Sequence, residues 1–173
     1  MRRLILFFAV TICTAAVAAA DQRMQGRPAQ IISGNELLLI TRDGSHHRIL
    51  LLGVGIPQPR QKWSAAAGRH LRMLVMGKPV EFRYPPQRSS GRLAGRLLHA
   101  GRDINRRLLA AGLARFDPVP ALSAEIADDY RAAEREARQR GAGIWRDNSA
   151  PPPRGVQGPS DMRQYSERRS PTH

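Results

Sequence analysis

The sequence predicts an α+β protein in which a five-stranded β-barrel carries three helices. Three features of the chain favour this fold. Short apolar segments separated by turn residues fill the first part, two more such segments follow one helical pattern, and the last third repeats apolar residues at helical spacing. A chain of 173 residues suffices for one domain with a core and tails.

The first three strands are predicted to form a meander. Residues 28–32 are a short strand, and residues 33–35 (Ser-Gly-Asn) suit a turn because Gly and Asn tolerate positive φ. Residues 36–41 are the second strand, and a hairpin turn with an Asp-Gly pair follows at 42–45. Residues 47–54 are nearly all apolar, which is typical of a strand buried on both faces.

One helix and two strands come next. Within residues 64–76 the apolar side chains recur at helical spacing, and Gly77 is a typical helix terminator. Residues 80–83 and 91–99 are short segments that we interpret as the fourth and fifth strands.

Two helices close the predicted domain. The first covers residues 103–111, with Asp103 placed to cap its first turn and Gly112 at its end. The second covers residues 121–140, and its apolar side chains share one face: Leu122, Ile126, Tyr130, Ala133 and Ala137. Five short strands with one helix after the third and helices after the fifth fit a Greek-key OB barrel.

Residues 1–20 have the pattern of a signal peptide. A positive start is followed by an apolar run over residues 4–17 and by three alanines at 18–20. We expect export to the periplasm or the exterior, after which no stable membrane span remains. The alternative is a retained anchor, for which the run is short. The single cysteine, Cys13, leaves with the signal peptide, so neither a disulfide nor a thiolate metal site is expected.

The remaining segments divide by composition. Residues 21–26 are interpreted as a polar leader and residues 27–146 as the folded domain. Residues 147–173 are rich in proline and arginine and have no apolar period, which predicts a disordered tail. We expect a monomer.

The charge balance points to an anionic partner. The net charge is +14, and Lys62 and Lys78 are the only lysines. A nucleic acid or an anionic envelope polymer fits such a balance. A genome that favours arginine codons would produce the same composition, so charge alone decides little.

Four groups of residues resemble the staphylococcal nuclease (thermonuclease) family. They are residues 51–54 with Pro57, residues 91–94, residues 101–105 with 108–109 and 112–114, and Tyr130 with 133–134, Ala137 and 143–145. Each group is weak alone, but their order and separations are specific. The resemblance covers nearly the whole predicted domain and implies an enzyme that hydrolyses phosphodiester bonds at one calcium ion.

Most residues that the resemblance assigns to catalysis are replaced in this chain. In the family, two aspartates bind the metal at the positions that hold Asn35 and Gly55 here, and a glutamate acts as the general base at the position of Gln58. Two arginines bind the phosphate; one of their positions holds Leu50, and the other keeps its arginine as Arg92. Calcium needs charged oxygen ligands, and a glutamine cannot accept a proton. Glu36 follows Asn35 but is expected on the opposite strand face. The replacements favour a catalytically degenerate member with no cofactor, and calcium is expected only if the family activity survives.

The candidate polyanion-binding residues are arginines of the predicted barrel. Arg48 lies two residues before Leu50 on the same strand face, and the others lie around the fourth and fifth strands: Arg83, Arg88, Arg92 and Arg96. The same arginines are also what a solvated strand face carries.

Aromatic side chains, on which an OB barrel stacks bases, are scarce in this half of the chain. Trp63 and Tyr84 are candidates for stacking. We expect Phe82 and Phe116 in the core and Tyr84 in the packing at the rim.

Three functions stay open from the sequence. The first is a non-catalytic OB module that binds nucleic acid or another polyanion. The second is an active calcium-dependent nuclease with a rearranged metal site. The third is a protein-interaction scaffold, which would neither bind nor cleave nucleic acid.

Overall fold

The structure is a computed structural model that describes residues 21–57, 63–86 and 92–146. The elements in chain order are β1 (Gln22–Ile31), β2 (Glu36–Thr41), β3 (His46–Leu51), β4 (Val54–Gly55), α1 (Ser64–Val75), β5 (Val80–Tyr84), β6 (Leu93–His99), β7 (Arg102–Asp103), α2 (Ile104–Ala110), β8 (Arg115–Phe116) and α3 (Ala124–Gln139). A short 3-10 helix, Gly143–Trp145, follows α3.

Five of these strands close into a barrel. Their order is β3-β2-β1-β5-β6, and a parallel pairing of β3 with β6 closes the ring. The other neighbours are antiparallel. Together with the three helices, this barrel confirms the predicted α+β OB-fold architecture.

The first strand is longer than predicted. It begins at Gln22 instead of residue 28, so residues 22–26, interpreted as a leader, belong to the barrel. Gln22 pairs with Tyr84 of β5, and Gly26 pairs with both Thr41 of β2 and Val80 of β5. This segment lacks an apolar pattern, and its backbone hydrogen bonds with two neighbours hold it in the sheet.

The third strand is shorter than predicted and is not buried on both faces. It ends at Leu51, and a turn with Gly53 at a φ of 74° precedes the two-residue β4. Ile49 and Leu51 are buried, whereas His46 is exposed. The alternation shows that only one face of β3 meets the barrel interior.

The core fills the barrel and continues beneath the helices. Phe82 is fully buried, Phe116 is 8 % exposed, and both are core residues as predicted. Tyr84 is also buried and stacks on Phe82 with 5.5 Å between ring centroids. Its predicted placement at the rim is therefore wrong, because Tyr84 shares the inward face of β5 with Phe82 and belongs to the core cluster.

The helix boundaries follow from capping residues. Asp103 caps α2 as predicted and accepts a hydrogen bond from the Arg106 amide at 3.0 Å. Helix α3 begins at Ala124, three residues later than predicted, because the Ser123 side chain caps it. No helix among the described residues is long and apolar enough to cross a membrane.

A close backbone approach fixes the end of the domain. Gly112 has a φ of 67°, and a Cβ atom there would lie 2.2 Å from the Ala142 carbonyl oxygen. The Ile144 amide donates to the Gly112 carbonyl at 2.8 Å. Only glycine fits this position, so the chain after α3 packs directly against the end of α2.

Candidate functional site

One end of the barrel gathers the family-matched positions that the structure describes. The register places Glu36 opposite Leu50 and Leu50 opposite Ala94. The Leu51 amide donates to the Asn35 carbonyl at 2.8 Å, which brings the β1–β2 turn against the end of β3. Arg92 directly precedes β6 at the same end. Gln58 lies outside the described residues.

The Asn35 side chain is already committed to the fold. Its amide nitrogen donates to the Val54 carbonyl at 2.7 Å, and its amide oxygen accepts from the Ser33 hydroxyl at 3.0 Å. A carboxylate at this position would have no proton to offer Val54. Asn35 therefore connects the β1–β2 turn to β4.

The described residues do not supply a calcium site at the matched positions. Gly55 is buried in β4 and pairs with Arg115 of β8, and it has no side chain to offer. Among the described residues, no group of three or more His, Cys, Asp or Glu side chains is placed to hold a metal. Calcium requires several oxygen ligands with net negative charge, and an amide bonded elsewhere together with a glycine does not fit it.

Two arginines converge on Glu36. The Arg48 Nε lies 2.5 Å from Glu36 Oε1, and the Arg92 Nη1 lies 3.5 Å from the same oxygen. The Glu36 side chain is only 8 % exposed, whereas those of Arg48 and Arg92 are 37 % and 24 % exposed. The pair of guanidinium groups is thus arranged around an anion, and that anion is the protein's own carboxylate.

The position of Glu36 follows from the register of three strands. Directly paired residues share a sheet face, and so do residues two apart on one strand. Glu36, Leu50 and Ala94 therefore share a face, and Arg48 and Arg92 join it as second neighbours. No role for Glu36 was predicted from the sequence, because the contact of its side chain with both arginines depends on the pairing of β3 with β6. An unusual glutamate at the start of a buried strand was the available signal.

The remaining predicted polyanion-binding arginines form a second group. Arg83 and Arg96 are direct partners across β5 and β6. Arg83 contacts Glu81 at 2.5 Å, and Arg96 contacts Asp103 at 2.9 Å. Arg88 lies outside the described residues. The four described arginines of this prediction therefore do not make one cluster, because Arg48 and Arg92 contact Glu36, whereas Arg83 and Arg96 contact Glu81 and Asp103.

Asp103 links three elements beside the second group. Besides capping α2 and pairing with Arg96, it accepts the Tyr130 hydroxyl of α3 at 2.9 Å. Burial and the adjacent carboxylate raise the pKa of Tyr130 well above its usual range. The tyrosine stays protonated and donates, so this network has a structural role.

Asn105 is a second buried polar residue that sequence reasoning did not single out. It is fully buried, and its amide donates to the Leu52 carbonyl at 2.9 Å and to the Gly95 carbonyl at 3.1 Å. Its oxygen accepts from the Leu97 amide at 3.1 Å. Asn105 thereby fixes the chain after β3 to β6.

Comparisons with known proteins agree with this architecture. Two relatives, both described as an uncharacterized endonuclease, one from Escherichia coli O157:H7 and one from Escherichia coli, are each 26 % identical over 142 residues, which cover 79 % of this chain and 86 % of the relative. Residues 48–147 match the family model described as staphylococcal nuclease homologue. With more than half of its length matched, the chain belongs to the staphylococcal nuclease homologue family.

Proposed function

We propose that this protein is an exported, catalytically degenerate member of its family that binds nucleic acid without cleaving it. The observation that carries the proposal is the contact of Glu36 with both Arg48 and Arg92. A phosphate at this position would compete with an internal carboxylate that is already desolvated and paired. Stabilisation of a phosphoryl transition state requires arginines aimed at the substrate, and here the nearest anion belongs to the protein.

The metal positions support the same proposal. Asn35 donates to a backbone carbonyl, and Gly55 has no side chain. The family resemblance predicts a charged metal ligand at each of these two positions. Their replacement removes the negative charge that would hold calcium.

The binding half of the proposal rests on charge. Residues 21–120 carry 17 basic and six acidic side chains. The relatives are described as endonucleases, whose substrates are nucleic acids, so a nucleic acid is the favoured polyanion. Export to the periplasm or exterior follows from the pattern of residues 1–20, and monomeric binding without a cofactor completes the proposal.

A restoration experiment tests the loss of catalysis. The variant Asn35→Asp/Glu36→Thr/Leu50→Arg/Gly55→Asp/Gln58→Glu places the family residues at the replaced positions. We expect no calcium-dependent cleavage of DNA or RNA by the natural chain and measurable cleavage by this variant. The same variant with Arg92→Ala is the matched control and is expected to lose the gained activity.

The competing function is an active nuclease with a rearranged metal site, which the description of the relatives as endonucleases favours. It predicts calcium-dependent cleavage by the natural chain that a chelator abolishes. That result would overturn the proposal, whatever the restored variant does.

A further inference from the structure

A groove crosses the outer surface of the barrel at the end away from Glu36. It encloses about 690 Å³ and is lined by β1, the end of β2, β5 and the turn between β6 and β7. Gly26 pairs with Thr41 at this end, whereas Ile31 pairs with Leu37 at the Glu36 end. The two sites are thus separated by the length of the strands.

The groove is lined by charged side chains with an excess of arginine. Arg27, Arg42 and Arg83 line it, together with one acid, Glu81. Arg27 and Arg42 are exposed. Arg27 donates to the Gly77 carbonyl at 2.8 Å, which ties its side chain to the turn before β5. The groove therefore carries a positive potential in a concave surface, where such a potential is strongest.

A row of arginines extends the groove across three strands. Arg23 of β1 pairs directly with Arg83 of β5, which pairs directly with Arg96 of β6. Like charges directly opposite one another destabilise a sheet. Two of the three arginines are paired with carboxylates, Arg83 with Glu81 and Arg96 with Asp103. Arg23 is exposed, and an anionic ligand would offset the positive charge that remains in the row.

We propose that this groove, and not the family-matched end of the barrel, binds the phosphodiester backbone of a nucleic-acid strand. The inference rests on the proposed function and names the surface that performs it. Neighbouring strands lie about 4.8 Å apart, so the row spans roughly 10 Å. Arg96 is held by Asp103, whereas Arg23, Arg27 and Arg42 are exposed and can contact phosphates. Glu36 contacts Arg48 and Arg92 at the other end, whereas Arg27 and Arg42 are exposed at the groove.

The groove is suited to contact the sugar-phosphate backbone of a strand and not its bases. Within the described parts of the chain, no aromatic side chain lines it, and stacking on aromatic rings is how OB barrels hold single-stranded bases. Binding is therefore insensitive to base identity.

The test uses charge reversal in the full chain without its signal peptide. Arg27→Glu/Arg42→Glu alters the groove, and Arg135→Glu/Arg140→Glu on and after α3 makes the same change in net charge. The control is matched because Arg140, like Arg27, donates to one backbone carbonyl, that of Ala110 at 2.9 Å. The probe is a fluorescent oligothymidylate of about 16 nucleotides, the upper site size of an OB fold, and thermal unfolding verifies that both variants fold.

We expect the groove variant to lose at least about tenfold in affinity. The slope of log affinity against log salt concentration should also become shallower by roughly 0.7 for each lost phosphate contact. The control is expected to change less than about threefold, since charge far from the ligand acts only through a screened field. An abasic strand of the same length should bind as well as the oligothymidylate. Equal losses in groove and control variants, or a strong preference for intact bases, would overturn the inference.

The outcomes separate this inference from the proposed function. If the natural chain binds no oligonucleotide, the proposed function fails. If it binds and the groove variant behaves as the control does, only the location of the site is wrong. Binding of a sulfated polysaccharide through the groove, without binding of the oligonucleotide, would overturn both and identify an anionic envelope polymer as the ligand.

Discussion

At Glu36, one desolvated carboxylate faces two guanidinium groups that would otherwise face solvent or a phosphate. Its side chain is 8 % exposed, so water cannot satisfy it if an arginine is removed. The contact therefore does two things at once. It stabilises the junction of β2, β3 and β6, and it occupies the cations that a phosphate would need.

Replacing Glu36 with glutamine should separate these two effects. We expect Glu36→Gln to lower the free energy of unfolding by about 1–2 kcal/mol, less than for a fully buried pair because both arginines are partly exposed. Inorganic phosphate should then stabilise the variant more than the natural chain, since the arginines regain an anion. Urea titrations with and without phosphate measure both quantities, and Glu125→Gln, at an exposed position of α3, is the control. Equal stabilisation by phosphate in all three proteins would contradict this account of Glu36.

At the scale of residues, contacts between residues close in the sequence could be predicted, whereas contacts between distant residues could not. Asp103 was predictable as a cap because its partner, the Arg106 amide, lies three residues away. Glu36 was not, because its contact with Arg92 joins residues 56 positions apart through the pairing of β3 with β6. Asn35 and Gly55, at the positions that the resemblance matches to metal ligands, could be identified directly in the sequence as lacking a carboxylate. The hydrogen bond from Asn35 to Val54 could not.

At the scale of elements, Asn105 of α2 binds two separate backbone segments to one another. Asn105→Leu keeps the approximate volume but leaves the Leu97 amide and the Leu52 and Gly95 carbonyls without this partner. Each buried polar group without a partner costs about 1–3 kcal/mol, so we expect the variant to lose about 3 kcal/mol or to fail to fold. Chemical denaturation measures the loss, and Gln139→Leu at the exposed end of α3 is the control. A loss below about 1 kcal/mol would show that another group takes over these hydrogen bonds.

The contact between α1 and α2 is expected to depend on pH. Burial and the nearby Arg107 lower the pKa of His70 below its ordinary value of 6.5. The unfolded chain therefore binds a proton more readily than the folded one, so stability falls as the pH drops below about 6.5. We expect His70→Gln to reduce this loss between neutral and mildly acidic pH. Thermal unfolding across this range measures it, and identical slopes for the two proteins would exclude His70 as the cause.

The first strand shows why element boundaries escape sequence reasoning. Residues 22–26 have no apolar period, yet they form backbone pairs with β5 along that whole segment and reach β2 at Gly26. The strand is stabilised by neighbours that lie far away in the sequence. Arg23 and Arg27 were consequently missed as site residues, although they lie in or beside the groove that we propose binds nucleic acid.

At the scale of the whole molecule, the protein has the barrel of its family and carries arginines in two separate places on that barrel. The order of strands and helices was predictable from periodicity and turn residues, and the barrel confirms it. The pair of arginines around Glu36 depends on the β3–β6 pairing that closes the barrel. The row across β1, β5 and β6 depends on the register of those three strands. We therefore expect the protein to bind nucleic acid, the proposed ligand, without hydrolysing its phosphodiester bonds.

The most direct measurement of that claim mixes a labelled oligonucleotide with the natural chain, in calcium and in a chelator. Binding and cleavage of the oligonucleotide are recorded in the same samples. The account predicts binding that weakens steeply with salt, is unchanged by the chelator, and leaves the strand intact. Cleavage that requires calcium would contradict the loss of catalysis, and the absence of salt-sensitive binding would contradict the retained affinity.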